Sequence, residues 1–158
     1  MPGIDERDRE ILKILRKEGR ITLTELGKRV GLSPASVKNR ITKLERLGAI
    51  KGYSAVVDPA FLDEYVQAFF ELKLAIDDRS IDGLLREVAK LDNVQSLYRR
   101  SGERQILIKA SFHDTDEVKE FAGRLKGMFG RNLERVEATL VIDTFKENWV
   151  VNERFLRP

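Results

Sequence analysis

A polar and cationic segment between Pro34 and Leu47 carries the side chains best suited to recognition chemistry. On a helical wheel of about 100° per residue, Val37, Ile41 and Leu44 share one apolar stripe. The polar positions are Ser33, Ser36, Lys38, Asn39, Arg40, Lys43 and Arg46. Lys and Arg neutralise phosphates, and Asn or Arg can form paired hydrogen bonds with a purine edge. The segment therefore predicts a helix that enters the major groove of double-stranded DNA.

The charge distribution supports a polyanionic partner for the first third of the chain. The 158 residues carry a net charge of +3. Residues 1–60 hold 13 Lys and Arg against 8 Asp and Glu, whereas residues 61–158 hold 16 against 18. The basic charge is thus confined to the part that contains the candidate recognition helix. This asymmetry favours DNA binding over an ordinary solvated helix surface.

Capping residues divide the first 50 residues into three short helices. Asp5 is placed to cap the first helix, and Thr22 with Glu25 predicts a capping box at the second. Gly31 supplies a turn, and Ser33 caps the third helix, which begins with a proline. Two helices joined by a tight glycine turn predict a helix-turn-helix, of the winged kind if a strand follows.

Strand periodicity dominates the remainder of the chain. Residues 49–57 alternate as a linker strand that ends at Asp58-Pro59. From Val66 onwards the apolar spacing predicts the order β-α-β-β-α-β, the ferredoxin-like arrangement of two helices on an antiparallel sheet. The fold class is therefore α+β. We expect a helix-turn-helix domain with its linker strand at residues 1–60, and a second domain at residues 61–158.

The composition argues against several classes of function. There is no cysteine and one histidine, His113, so neither a metal site nor a catalytic centre is expected and the chain does not read as an enzyme. No apolar run approaches the roughly 20 residues of a membrane helix, and no secretory signal is visible. These features favour a cytoplasmic protein that makes no membrane contact.

The sequence resembles the Lrp/AsnC, or feast/famine, transcriptional regulators over nearly its whole length. The resemblance is most specific in the N-terminal part, and the β-α-β-β-α-β half is similar to the family's ligand-sensing RAM domain. The matching positions are Asp5 to Leu12, Gly19-Arg20, Glu25-Leu26, Gly31 to Ser33, Val37 to Ile41, Leu44-Glu45 and Gly48 to Tyr53.

The resemblance implies a transcriptional regulator that binds DNA as a homodimer, with dimers assembling further into tetramers or octamers. It also implies a small effector, commonly an amino acid, bound between RAM domains, and no other cofactor. Part of the effector site in the family is a hairpin with the pattern Gly-x-x-Asp. The corresponding residues here are Ser101, Gly102, Glu103, Arg104 and Gln105, with Gln105 in place of the usual Asp.

Two alternatives remain open at this point. One is a DNA-binding or architectural oligomer that needs no effector, since a neutral amide at Gln105 binds an ammonium group less strongly than a carboxylate does, and Gly102 can serve as a hairpin turn residue alone. The other is an enzyme similar to the siroheme decarboxylases, which share the two-part fold. Such an enzyme needs cationic and histidine side chains around its substrate, and His113 is the one histidine available.

Overall fold

The computed structural model describes residues 3–156, which form two compact units. One unit contains residues 3–56 together with residues 144–156, and the other contains residues 57–143. The sequence assigns residues 144–156 to the second domain, whereas in the structure they pack as part of the first unit. No helix within residues 3–156 is long and apolar enough to cross a membrane.

The first unit is built on three helices. They are α1 (Glu6–Leu15), α2 (Leu23–Val30) and α3 (Pro34–Arg46). Its core consists of apolar side chains that are at most 1% exposed: Ile11, Leu26, Val30, Val37 and Leu44. The predicted apolar stripe of α3 is confirmed by these contacts, with Ile41 packed against the core.

The helices begin at the predicted caps, but the complete capping box lies at α1 and not at α2. Thr22 Oγ1 accepts the Glu25 backbone N–H at 3.1 Å, but Glu25 Oε1 accepts from Nε of Arg29 at 3.2 Å rather than closing a box. The complete capping box lies at α1, where Asp5 Oδ1 accepts the Asp8 N–H at 2.8 Å and Asp8 Oδ2 accepts the Asp5 N–H at 3.0 Å. Asp8 is thereby drawn into the unit.

The turn between α2 and α3 depends on a close backbone approach at Gly27. The Leu32 N–H donates to the Gly27 carbonyl oxygen at 2.9 Å. A Cβ atom on residue 27 would stand 2.5 Å from the Leu32 carbonyl oxygen, well inside van der Waals contact. Gly31 then takes the left-handed conformation at the end of α2, as the sequence predicts.

The structure differs from the predicted linker strand at residues 49–57, which form no strand within the described chain. Val56 and Val57 are 43% and 53% exposed, so the alternating pattern has no neighbouring strand to pair with. An alternating pattern yields a strand only where a sheet edge accepts it. Asp58 instead caps a short 3-10 turn at Pro59–Leu62.

The second unit has the predicted β-α-β-β-α-β order. Its elements are β1 (Val66–Leu74), α4 (Asp82–Ala89), β2 (Val94–Arg99), β3 (Ile106–Phe112), α5 (Thr115–Phe129) and β4 (Leu133–Leu140). The strands form one antiparallel sheet in the order β2-β3-β1-β4. A further hairpin, β5 (Lys146–Glu147) with β6 (Val150–Val151), belongs to the first unit and is not predicted by the sequence.

The two faces of the sheet have different surroundings. Ala68, Phe70 and Leu72 of β1 are fully buried in a core that includes residues of α4 and α5. The ring of Phe70 packs edge-on against Phe121 of α5, with centroids 4.9 Å apart. Because side chains alternate along a strand, Phe69, Glu71 and Lys73 lie on the opposite face, called the outer face below.

We predict that Gly27→Ala destabilises the first unit by about 1–3 kcal/mol, since the new methyl group must displace backbone atoms in a packed turn. Thermal unfolding followed by circular dichroism measures the effect. Gly123→Ala in α5 is the matched control, because a Cβ there meets no atom within 4 Å and alanine favours helix. Equal stability of Gly27→Ala and the unaltered protein would contradict the close approach.

Candidate functional site

The first turn of α3 is prepared for an anion by its local structure. Ser33 Oγ accepts the Ser36 N–H at 3.1 Å, and Pro34 occupies the first turn. No acidic residue lies in that turn, while Lys43 and Arg46 stand in the last one. Free N–H groups and the helix dipole at such an end attract phosphate. Ser33 is exposed and Ser36 is half-buried.

The exposed face of α3 combines predicted and unpredicted residues. Lys38, Asn39 and Arg46 are exposed, as the recognition hypothesis requires. Ala35 and Thr42 are exposed on the same helix and were not among the predicted contacts. Their place on the helical wheel, opposite the apolar stripe, is the signal that identifies them. The face therefore presents an amide, a hydroxyl and a methyl group between two cations.

Arg40 and Lys43, the other predicted DNA contacts, have partners within the unit. Nη1 of Arg40 lies 2.7 Å from Asp5 Oδ2 and 3.0 Å from Asp8 Oδ1, and Nζ of Lys43 donates to Asp8 Oδ2. The Asp8 side chain is fully buried, whereas those of Arg40 and Lys43 are 26% and 31% exposed. These two cations join α3 to the start of α1.

Asp5, Asp8, Arg40 and Lys43 form a charged cluster. The cluster keeps the carboxylates of both aspartates ionised. The hydrogen bond from Arg40 is the main cause that lowers the pKa of Asp5 to about 2. Burial works to raise the pKa of Asp8, but hydrogen bonds from Lys43, the Asp5 backbone and Arg40 together lower it. The pKa of Arg40 is raised, first by its bond to Asp5 and then by Asp8. The cluster is therefore a charged clamp at neutral pH.

Tyr53 engages the one acidic side chain of α3. Its hydroxyl donates to Glu45 Oε1 at 2.8 Å. Burial of the Tyr53 phenol, followed by this bond, raises the pKa of that phenol. The carboxylate of Glu45 is thus held by the segment after the helix.

The predicted effector residues lie in the hairpin between β2 and β3. Ser101, Gly102, Glu103 and Arg104 are exposed and Gln105 is half-buried. Gly102 has a φ of +100°, so the hairpin needs glycine there for its backbone alone. The Gln105 side-chain oxygen accepts the Leu74 N–H at 2.9 Å, where the pairing of β1 with β4 shifts register. Gln105 thus completes the sheet.

The hairpin also borders a cavity of about 130 Å³ at the outer face of the sheet. Glu103 and Arg104 line it together with residues of β1 and β4. The structure thus brings these two predicted residues to a cavity and engages Gln105 elsewhere. The single histidine lies apart from it: His113 Nδ1 is 3.0 Å from the Asp63 carbonyl oxygen, and its ring packs edge-on against Tyr65.

Two protein families match this chain. Residues 4–51 match a family described as winged helix-turn-helix DNA-binding. Residues 67–151 match the family described as the Lrp/AsnC ligand binding domain. The two matches fall on the three-helix segment and on the sheet with its following hairpin.

Curated relatives match three quarters or more of the chain. An HTH-type transcriptional regulator of Pyrococcus furiosus is 43% identical over 152 residues, which span 95% of this chain and 98% of that protein. The leucine-responsive regulatory protein of Escherichia coli is 37% identical over 128 residues, 77% of this chain and 76% of that one.

Solved structures share the whole fold. A transcriptional regulator of Neisseria meningitidis in complex with L-Met superposes with a TM-score of 0.77 at 26% identity, covering 98% of this chain and 99% of that one. The leucine response regulatory protein of Mycobacterium tuberculosis gives a TM-score of 0.77 at 27% identity, covering 92% and 97%.

The charged clamp makes the stability of the first unit depend on pH. The pKa of Asp5 is 3.8 before folding and about 2 in the fold, and that of Asp8 is lowered from 3.8. A carboxylate whose pKa falls on folding stabilises the fold above its unfolded pKa, and the contribution is lost as the pH drops through the folded value. We predict that melting temperature decreases as the pH falls from 3.8 towards 2.

Replacement of Asp8 by Asn tests whether the charged clamp causes this pH dependence of stability. Asp8→Asn removes the charge that Arg40 and Lys43 bind, and we expect a loss of about 1–3 kcal/mol at pH 7 with a shallower acid dependence. Asp116→Asn in α5 is the control, since that carboxylate is exposed and pairs with Lys119. If Asp8→Asn and Asp116→Asn melt alike at every pH, the clamp does not hold α3.

Proposed function

The chain belongs to the Lrp/AsnC family of transcriptional regulators, and we propose that α3 gives it specificity for particular sequences of double-stranded DNA. The single observation that carries this proposal is the composition of the exposed face of α3. Small and polar side chains on that face lie between Lys38 and Arg46. Such a face fits the width of a major groove and offers partners to both base edges and phosphates.

We assign the polar residues of α3 to two groups, those that contact DNA and those that position the helix. Asn39 has the side chain that pairs with an adenine edge, and the methyl groups of Ala35 and Thr42 suit a thymine methyl. Lys38, Arg46 and the N-terminal turn at Ser33 and Ser36 contact phosphates. Arg40 and Lys43 act mainly as positioning residues, because Asp5 and Asp8 engage both.

A homodimer presents two copies of this helix. We propose that the outer face of the sheet forms the dimer interface, with Phe69, Leu107 and Tyr98 at its centre. Phe69 and Leu107 are half-buried, and Tyr98 is 56% exposed. The side-chain oxygen of Gln67 is buried on this face without a hydrogen-bond partner among residues 3–156. Such an oxygen is costly unless a second copy donates to it.

The dimer sets the form of the target. Two helices related by a two-fold axis favour an imperfect palindrome whose half-sites are about 34 Å apart, or a multiple of this distance. Further assembly into tetramers or octamers would bend the DNA. Additional phosphate contacts would offset the free-energy cost of that bending.

We also propose that a small molecule regulates DNA binding by this chain. The Neisseria regulator that shares the fold was solved with L-Met, which supports a small effector for residues 57–143 of this chain. The effector changes DNA binding only if it prefers one conformation or one oligomer over another.

DNA binding by substituted proteins tests the reading face. The probe is a DNA fragment selected by the unaltered protein from a random-sequence library, titrated at several salt concentrations. Lys38→Gln with Arg46→Gln should weaken binding to all sequences and reduce the slope of log K against log salt by about 0.9 per lost phosphate contact. Asn39→Ala should lower the affinity for the selected sequence about 10-fold or more and leave the affinity for non-specific DNA unchanged.

The control for these variants is Lys126→Gln, an exposed cation on α5 of the other unit. It should bind as the unaltered protein does. Unchanged affinity and salt slope in the Lys38 and Arg46 double variant would remove α3 from the interface.

The dimer interface has its own test. Leu107→Glu places a charge at the centre of the outer face, where burial against a second copy would leave it unpaired. We expect the mass measured by light scattering to fall from dimer to monomer. Ile76→Glu, a change at an apolar side chain that is 48% exposed beyond the end of β1, should remain dimeric. A dimeric Leu107→Glu would exclude this interface.

A further inference from the structure

The end of α1 carries a basic patch that the proposed role of α3 does not use. It consists of Lys13, Arg16, Lys17 and Arg20, all of which are exposed. Within residues 3–156, none of these four side chains forms an ion pair or a hydrogen bond with another residue. The acidic residue that lies among them, Glu18, is bound by Arg29 of α2, whose Nη1 is 2.6 Å from Glu18 Oε1. The patch therefore lacks a carboxylate partner.

The spacing of these cations brings their side chains together. Lys13 lies three and four positions before Arg16 and Lys17, and side chains at that spacing share one face of a helix. The helix ends at Leu15, and Arg20 follows in the loop to α2. The negative end of a helix dipole favours cations there, but it equals only about half an elementary charge. Most of the positive charge of the patch remains uncompensated.

The β5–β6 hairpin reaches this patch from the other end of the chain. At its base the Asn152 N–H donates to the Phe145 carbonyl oxygen at 2.9 Å, and the rings of Phe145 and Phe155 have centroids 4.3 Å apart. Its tip is the turn Asn148-Trp149. The guanidinium carbon of Arg16 lies 4.2 Å from the centre of the Trp149 ring. The hairpin thus places an aromatic ring against one cation of the patch.

Backbone geometry does not account for a tryptophan at this turn. The φ angles are +43° at Asn148 and +70° at Trp149, and hairpin turns with two positive φ angles strongly favour Asn-Gly. A bulky residue kept in such a conformation indicates a use for its side chain. The Trp149 side chain is 52% exposed, so filling a core is not that use. The contact of the ring with Arg16 is the better explanation.

We propose that the basic patch and Trp149 form a second DNA-binding surface, which contacts phosphates of the duplex beside the groove that α3 enters. A guanidinium stacked on an aromatic ring keeps its in-plane N–H groups free for phosphate oxygens. Trp149 is a positioning residue, because its ring holds Arg16 in place before DNA arrives. This inference rests on the proposed DNA binding by α3 and adds a separate surface to it.

The distance between the two surfaces suits a single duplex. Asp8 of α1 is bonded to Arg40 and Lys43 of α3, which fixes one point of α1 next to α3. Arg16 follows eight positions later, which is about 12 Å along a helix. The major groove is also about 12 Å wide. In homeodomains, which likewise have three helices around a helix-turn-helix, the loop between the first two helices contacts the DNA backbone.

DNA titrations of a charge variant test the patch. Phosphate contacts carry no sequence information, so Arg16→Gln with Lys17→Gln should lower the affinity for selected and for non-specific DNA by the same factor. We expect that factor to be about five or more, with a decrease in the slope of log K against log salt of about 0.9 per lost contact. Arg124→Gln with Lys126→Gln, two exposed cations of α5, removes the same charge and should change neither quantity.

Variants of Trp149 test its positioning role. Trp149→Gly creates the Asn-Gly turn that the hairpin backbone favours and removes only the ring, so the variant should fold, as its melting temperature will verify. We expect its affinity for DNA to fall about two- to fivefold, in line with the strength of an exposed cation–π contact. Trp149→Phe keeps an aromatic face and should bind DNA nearly as the unaltered protein does. In the Arg16→Gln background, Trp149→Gly should cause no further loss, because the two residues act through one contact.

Four outcomes overturn the inference. The first is unchanged affinity and salt slope in the Arg16 and Lys17 double variant, and the second is a loss confined to the selected sequence. The third is an equal effect of Trp149→Gly with and without Arg16. The fourth is a lower mass of the Arg16 and Lys17 variant in light scattering, which would assign the patch to contacts between subunits.

The same titrations keep this inference apart from the proposed role of α3. Selective DNA binding that survives loss of Arg16 and Lys17 refutes the second surface and leaves α3 in place. Weakened binding in that variant, together with unchanged binding in the Lys38 and Arg46 variant, does the reverse. If the unaltered protein binds no DNA, both are wrong.

Discussion

A single buried carboxylate, that of Asp8, fixes the orientation of α3. Its side chain is fully buried, and an ionised carboxylate in that position is tolerated only with cations and hydrogen-bond donors around it. Arg40 and Lys43 supply the cations, one helical turn apart on the same side of α3. A rotation of α3 about its axis would move both cations away and leave the buried carboxylate unpaired. The opposite side, with Ala35, Asn39 and Thr42, is therefore held towards solvent.

This constraint changes what the cations of α3 do. A count of basic residues overstates the charge that the helix offers to a polyanion, because two of its cations are engaged by Asp5 and Asp8. The exposed face keeps Lys38 and Arg46, while Glu45 is bonded to Tyr53. Specificity would then depend more on short polar side chains in the groove than on charge density. That balance suits a regulator that must distinguish sequences, since phosphate contacts carry no sequence information.

Local signals in the sequence predict the elements well, because caps and periodicity act over a few residues. Asp5, Thr22, Ser33 and Asp114 cap helices as their types suggest. The buried role of Asp8 could not be predicted, since a wheel drawn for α3 contains no information on α1. Neither does alternation at residues 49–57 reveal whether a sheet edge exists to receive it.

The same limit applies to the hairpin between β2 and β3 and to the cavity beside it. Gly102 and Gln105 are recognisable from spacing, but the role of Gln105 depends on a register shift between β1 and β4 that places the Leu74 N–H within its reach. Glu103 and Arg135 are 32 positions apart, on the hairpin and on β4. Only the strand order β2-β3-β1-β4 brings them to one cavity.

The C-terminal segment shows how α1 is held at its far end. Asn148 and Trp149 both have positive φ, 43° and 70°, as a two-residue turn between β5 and β6 requires. Tryptophan is a costly residue in that conformation, by about 1–3 kcal/mol, so surrounding contacts must stabilise it. The guanidinium of Arg16, which follows α1, stacks 4.2 Å from the centre of the Trp149 ring. Since Asp5 and Asp8 fasten the start of α1 to α3, residues 144–156 and the exposed face of α3 are linked through a single helix, and the C-terminal segment is a structural part of the unit that presents α3.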